Sequence, residues 1–164
     1  MRPTIDVDGV EVGLPTEGAS SLWNVLDNND IRIPMGCGTG HCGACTVLLD
    51  DTPTPSCLVP KGSVPGARIR TAASSALPAL VDAMAREGAV QCGFCSPGVV
   101  VTLSWAIRLA VARHRCLDAD DVRELLIGHL CRCTGYQAIV TATVSACRNE
   151  LVLGDGGDAS ATRS

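Results

Sequence analysis

The stretch that decides the fold of this chain is Gly36-Cys37-Gly38-Thr39-Gly40-His41-Cys42-Gly43-Ala44-Cys45. It holds three cysteines and four glycines, and a fourth cysteine, Cys57, follows further along. The resulting spacing is C-x4-C-x2-C-x11-C, and its first part is the plant-type pattern in which four thiolates hold a 2Fe-2S cluster. The glycines suit that chemistry, because a loop that aims backbone N–H groups at cluster sulfurs visits positive φ angles. We therefore predict a metal centre ligated by Cys37, Cys42, Cys45 and Cys57.

Length, charge and cysteine content limit the possible functions. The chain has 164 residues and a net charge of −4, which argues against nucleic acid or an anionic membrane surface as a partner. No segment approaches the roughly 20 apolar residues that a membrane helix needs, and the N-terminus lacks a secretory pattern, so we expect a cytoplasmic protein without a membrane span. Ten cysteines in such a chain favour metal sites over disulfides, because a reducing cytosol keeps thiols free.

The first 73 residues carry the pattern of a small α+β domain. The dipeptide Asp8-Gly9 separates two alternating segments, which predicts a hairpin with a type I′ turn. Ser20 or Ser21 can cap a short helix. Strands are predicted at residues 4–7, 10–12, 45–49 and 68–71. A turn at Asp50-Asp51 would bring Cys45 and Cys57 together at the open end of a hairpin.

From residue 74 to 153 the apolar period changes to that of helices, and four helices predict a compact bundle. The predicted helix starts are Ser75, with Pro78 in the first turn, then Ser96-Pro97, Asp118 and Tyr136. Residues 154–164 lack periodicity, so we predict a disordered tail.

The helical half contains a second cysteine set, formed by Cys92, Cys95, Cys131 and Cys133. Each pair lies just before a predicted helix start, where free N–H groups and the helix dipole stabilise negative charge. This placement favours an iron-sulfur cluster. Spacing alone leaves a zinc site open, because tetrahedral zinc also binds paired thiolates.

Three motifs resemble one family. They are Cys37-Gly38-Thr39-Gly40-His41-Cys42-Gly43-Ala44-Cys45-Thr46-Val47, Gln91-Cys92-Gly93-Phe94-Cys95-Ser96-Pro97-Gly98 and Leu130-Cys131-Arg132-Cys133-Thr134-Gly135-Tyr136. In this order they resemble the small iron-sulfur subunit of molybdenum hydroxylases, which include xanthine dehydrogenase, aldehyde oxidoreductase and carbon monoxide dehydrogenase. The resemblance covers roughly residues 3–150. It implies a plant-type ferredoxin-like (β-grasp) domain followed by a four-helix-bundle domain, each with one 2Fe-2S cluster.

The resemblance also implies a function and partners. A large subunit would hold molybdopterin, a medium subunit would hold FAD, and the complex would be a dimer of heterotrimers. The helical-domain cluster would lie nearer molybdenum and the first cluster nearer FAD. Gln91 and Cys133 match positions that contact the pterin in this family.

The sequence departs from the family at His129, which occupies a position where Asn is frequent. We predict His114 and His129 to be surface or loop residues and not catalytic bases. Cys116 and Cys147 fall outside both ligand sets; we predict a buried thiol at Cys147 and an exposed one at Cys116. The competing functions are a free two-cluster ferredoxin and a zinc-stabilised interaction module.

Overall fold

The computed structural model describes residues 2–18 and 20–156 of the chain. Its N-terminal half is a five-stranded mixed sheet with one helix, and its C-terminal half is helical. The strands are β1 (Thr4–Val7), β2 (Val10–Gly13), β3 (Thr46–Leu49), β4 (Thr52–Pro55) and β5 (Arg68–Arg70). The helices are α1 (Leu22–Asp27), α2 (Ala72–Ser75), α3 (Pro78–Arg86), α4 (Ser96–Val111), α5 (Ala119–Leu125) and α6 (Gln137–Gly156). This architecture confirms the predicted α+β class.

The sheet has the strand order β2-β1-β5-β3-β4, with β1 and β5 parallel and the other pairs antiparallel. The predicted hairpin turns at Asp8 and Gly9, both of which have positive φ, as a type I′ turn requires. Ser21 caps α1 through a capping box with Asn24. Leu26 is fully buried against the sheet, so α1 completes the core of this half.

Helices α3 to α6 enclose a second core, in which Leu80, Leu103, Val122 and Ile139 are fully or almost fully buried. Helix α4 also packs on β3 of the sheet. A helix that is covered on both sides must be apolar around most of its circumference, and ten residues of α4 are buried. Helix α4 therefore joins the two halves.

The predicted start of the first bundle helix is wrong. Ser75 ends the short helix α2, and its hydroxyl donates to the carbonyl of Thr71 at 2.6 Å. Helix α3 begins at Pro78, whose fixed φ suits a first turn. The N–H of Leu77, just before this start, donates instead to the Ser104 hydroxyl at 2.9 Å.

The short helix α2 is held from both sides. The Asp8 carboxylate accepts hydrogen bonds from the Thr71 N–H at 2.8 Å, from the Thr71 hydroxyl at 2.6 Å and from the Ser74 hydroxyl. On the other side, the Arg108 guanidinium of α4 donates to the Ser75 carbonyl at 2.7 Å. The connection between the halves is thus anchored to both of them.

Helix α6 continues through Gly156, so the first three residues of the segment predicted as a tail are helical. Residues 157–164 lie outside the described residues. Within residues 2–18 and 20–156, no helix combines the length and apolar character needed to span a bilayer.

Candidate metal centres

The β3–β4 hairpin brings Cys45 and Cys57 together. Cys45 immediately precedes β3, and Cys57 lies in the short 3-10 turn after β4. The Ser56 side chain and N–H both donate to the Cys45 carbonyl, at 2.8 and 3.2 Å. The two thiols lie within hydrogen-bonding reach of each other, as the sequence predicted.

The glycine loop supplies the other two thiols of the first set. The Thr39 and His41 N–H groups donate to the Cys37 sulfur at 3.4 and 3.2 Å, and the Cys37 N–H donates to the Cys42 sulfur at 3.4 Å. Gly40 has a φ of +78°, a conformation that glycine adopts without a Cβ penalty. The loop thus aims backbone donors at cysteine sulfurs, which is the arrangement expected of a cluster-binding loop.

The second set forms where two segments of the helical half meet. Cys95 is the residue before α4, while Cys131 and Cys133 lie between α5 and α6. The thiols of Cys92 and Cys133 are within hydrogen-bonding reach, and so are those of Cys95 and Cys131. Thr134 supports this arrangement, because its hydroxyl lies 3.1 Å from the Cys131 sulfur.

In each centre the four cysteine side chains therefore lie in two pairs. Among residues 2–18 and 20–156, no three Cys, His, Asp or Glu side chains are grouped closely enough for a single metal ion. A 2Fe-2S cluster contains two irons held by four thiolates, so two thiol pairs in each centre fit this group. Gly36 gives the first loop the space it needs, because a Cβ there would lie 3.0 Å from the Cys42 sulfur.

The surroundings give the thiols of each centre different acidities. Hydrogen bonds from Thr39 lower the pKa of Cys37 to about 5, whereas burial raises the pKa of Cys57 to about 11. In the second centre, burial raises the pKa of Cys95 to about 12. Burial also acts to raise the pKa of Cys131, but hydrogen bonds from Thr134 outweigh it and bring that pKa to about 7. Because iron binds thiolates, cluster insertion must release the protons of the protonated ligands, which include Cys57 and Cys95.

One cavity of about 380 Å³ touches both centres. Its walls include Cys37 and Cys42 of the first centre and all four cysteines of the second, together with Phe94 and Leu130. Phe94 also lies beside the first loop, because a Cβ on Gly36 would be 3.4 Å from its ring. No local pattern in the sequence indicates this neighbourhood, since its walls come from three separate segments, residues 36–44, 92–95 and 130–133.

The remaining residues singled out in the sequence fall in distinct places. Gln91 and Cys133 are exposed at the same end of the bundle as Cys92. Cys147 is fully buried, as predicted, and accepts a hydrogen bond from the Leu117 N–H at 3.3 Å. Cys116 is half-buried, so the prediction that it is exposed is wrong. His129 lies in a loop, as predicted, but it is buried, which the sequence did not indicate.

Comparison with known proteins identifies both halves. Residues 5–68 match the family described as 2Fe-2S iron-sulfur cluster binding domain, and residues 68–144 match the family described as [2Fe-2S] binding domain. The chain is 44% identical over 118 residues to the xanthine dehydrogenase iron-sulfur-binding subunit of Escherichia coli O157:H7, which covers 70% of this chain and 73% of that protein. It is 43% identical to the caffeine dehydrogenase subunit gamma of Pseudomonas sp. (strain CBB1), across 87% of this chain and 88% of that one.

This chain belongs to the iron-sulfur subunit family of the molybdenum hydroxylases. A solved structure, quinoline 2-oxidoreductase from Pseudomonas putida 86, superposes with a TM-score of 0.79 at 30% identity and covers 94% of this chain and 97% of that chain. The family assignment confirms two 2Fe-2S clusters and the predicted ferredoxin-like and helical-bundle domains. The zinc alternative for the second cysteine set is therefore wrong.

Proposed function

We propose that this chain carries electrons within a heteromeric molybdenum hydroxylase, between a large molybdopterin subunit and a medium FAD subunit. The main support is that cysteines of both four-cysteine centres line one cavity in the same chain. When bound, each 2Fe-2S cluster takes up and releases one electron at a time. The two centres in series can therefore carry away the electrons of a two-electron oxidation, while the substrate is oxidised on another chain.

The surroundings of the second centre support a place next to the molybdopterin subunit. Cys92, Cys133 and Gln91 are exposed at this end, and the large apolar side chains of Phe94 and Leu130 are 50% and 67% exposed beside them. Exposed apolar side chains grouped around a metal centre are typical of a surface that a partner covers. In this arrangement, Gln91 and Cys133 would contact the pterin.

A separate groove lies beside the first centre. Leu58, directly after the ligand Cys57, is 55% exposed, and Met35 beside the glycine loop is 41% exposed. These two residues line one surface groove together with Cys57. This surface is our candidate for the contact with the FAD subunit, where electrons would leave the chain.

The chain's own residues have three tasks in this function. The eight cysteines bind the irons, and the N–H groups of Thr39 and His41 stabilise charge on the first centre. Cys45 belongs to the first hydrophobic core, and Cys131 is buried as well, so both inner ligands are kept away from water. The outer ligands Cys37, Cys92 and Cys133 are exposed, so partner subunits would complete their protection from solvent.

The wider assembly belongs to the same proposal. We infer two domains, residues 1–73 and 74–153, because the buried side chains form one cluster from Ile5 to Ile69 and another from Leu77 to Cys147. We also infer a dimer of heterotrimers in the cytoplasm. Relatives whose names mark them as a gamma or a small subunit support a multi-subunit complex.

Purification through a tag on this chain, expressed from its native locus, tests the proposal. We expect two further subunits to copurify, with molybdenum, flavin and about four irons per copy of this chain. Native mass spectrometry of the purified complex then counts the subunits. A monomer that carries all its iron, stays soluble alone and copurifies with neither molybdenum nor flavin would support a free two-cluster ferredoxin instead.

A further inference from the structure

One buried polar side chain lies between the two metal centres and belongs to neither ligand set. His129 is 9% exposed, and its Nε2 lies 2.9 Å from the hydroxyl of Thr102 on α4. Its Nδ1 is buried without a hydrogen-bond partner among the described residues. Burial lowers the pKa of His129 below its ordinary value.

The free side of the ring faces the first centre. A Cβ on Gly43 would lie 2.5 Å from the His129 Nδ1 and 2.5 Å from the Gly128 carbonyl, so the imidazole rests directly on the Gly43 backbone. Gly43 lies between the ligands Cys42 and Cys45. A side chain of the helical half thus contacts the middle of the first ligand loop.

The backbone next to His129 joins the same two places. The Leu130 N–H donates to the Cys42 carbonyl at 2.9 Å, and Leu130 is followed directly by the ligand Cys131. One hydrogen bond and one residue therefore separate a ligand of the first centre from a ligand of the second.

The carbonyl of His129 is also fixed from the second centre. It accepts a hydrogen bond from the Tyr136 hydroxyl at 3.0 Å, and that hydroxyl accepts one from the Cys131 N–H at 2.8 Å. Through its ring His129 therefore contacts the first ligand loop, and through its carbonyl it contacts the second.

We propose that His129 is a positioning residue that fixes the spacing and orientation of the two 2Fe-2S centres, with its ring held between Thr102 and Gly43. The inference rests on the proposed electron-transfer function for its purpose. It concerns the geometry of this chain alone, because every contact in it lies within the chain. Groups that hold metal ligands in place commonly matter almost as much as the ligands.

Three substitutions test the hydrogen bond of the ring and its contact with Gly43 separately. In His129→Gln, the side-chain amide nitrogen can take the place of Nε2 and keep the hydrogen bond to Thr102. In His129→Ala, both the hydrogen bond and the contact with Gly43 are lost, and a cavity remains between the loops. Thr102→Val leaves the ring in place but removes its hydrogen-bond partner at nearly constant shape.

The measurement is electron paramagnetic resonance on the full, cluster-loaded chain after reduction. It reports the spin–spin splitting between the two reduced centres, and redox titration gives the midpoint potential of each. We expect His129→Ala to retain about four irons but to lose or reduce the splitting, with a smaller reduction in Thr102→Val. His129→Gln should restore most of the wild-type splitting, which a space-filling role without the hydrogen bond would not require.

Thr143→Val is the matched control. Thr143 is another fully buried threonine of the helical half, and its hydroxyl donates within its own helix to the Ile139 carbonyl at 2.7 Å. Its substitution should lower stability and leave the splitting unchanged. Wild-type splitting and potentials in both His129→Ala and Thr102→Val would overturn the proposal. If His129→Ala fails to hold its clusters, Thr102→Val and His129→Gln decide the question.

The test is independent of the partners. A chain that purifies without molybdenum or flavin contradicts the proposed function, whereas the splitting of its loaded centres still tests the role of His129. Unchanged splitting in variants of an intact complex contradicts only the role of His129.

Discussion

The contact between α4 and the first ligand loop predicts a large effect for Gly98→Ala. Gly98 lies in the first turn of α4, and a Cβ there would lie 2.1 Å from the Gly43 carbonyl oxygen and 3.2 Å from the Ala44 carbonyl oxygen. Both contacts involve backbone atoms, so no change of rotamer relieves them. The helix or the loop must move.

The size of the effect follows from two opposing terms. Overpacking costs about 1–3 kcal/mol, and a backbone clash belongs at the upper end, about 3 kcal/mol. Alanine in place of glycine stabilises a helix by about 1 kcal/mol. The expected net loss is about 2 kcal/mol, which for a chain of this size lowers the Tm by roughly 4–8 °C.

The assay is thermal unfolding of the loaded chain, followed by far-ultraviolet circular dichroism and by the visible absorbance of the clusters. Gly62→Ala is the matched control, because the structure places nothing within 4 Å of its new Cβ. We expect the cluster absorbance of Gly98→Ala to fall earlier than in the control, since Gly43 lies between two ligands. Equal Tm values for the two variants would refute the close approach of α4 to the loop.

Three further substitutions test separate parts of the structure. Cys45→Ser should remove the first centre and halve the iron content to about two irons per chain, while the paramagnetic signal of the second cluster remains. Loss of both signals would show that the two centres depend on each other. Cys133→Ser should disturb the second centre and the proposed pterin contact, so substrate turnover by the assembled complex should fall, and unchanged turnover would contradict that contact. Asp8→Asn weakens the charge-assisted hydrogen bonds to Thr71 and Ser74. It should lower the free energy of unfolding by about 1 kcal/mol, which urea unfolding measures. A variant as stable as wild type would show that this anchor contributes little.

The sequence alone predicted the ligands and most of the local structure. Cysteine spacing predicted both sets of four, whose members the structure brings together, because a ligand loop must hold its thiols within a few residues. Asp8-Gly9 predicted the hairpin. Ser20 or Ser21 and Asp118 were the predicted helix caps, and the structure confirms Ser21 and Asp118 with capping boxes. These signals are readable because turns and caps are formed by residues that are close together in the chain.

Competing local signals caused the error at the start of the bundle. Ser75 has a good capping side chain, and so does Thr71, four residues earlier. In the structure Thr71 caps the short helix α2, where Asp8 of the other half binds its N–H and hydroxyl, and Ser75 ends that helix. Helix α3 then begins at Pro78 without a side-chain cap. A partner 63 positions away in sequence leaves no trace in a local pattern.

The relation between the two centres was decided only by the tertiary structure. The sequence places Gly43 and Gly98 in separate motifs, but it does not show that α4 packs on β3 and brings them into contact. His129 looked like a loop residue, and its burial follows from the same packing. Spacing along the chain determines which cysteines can bind a cluster, because that requirement is local. The separation of the clusters depends on which helix face meets which sheet face, and that is determined by burial of apolar surface over the whole chain.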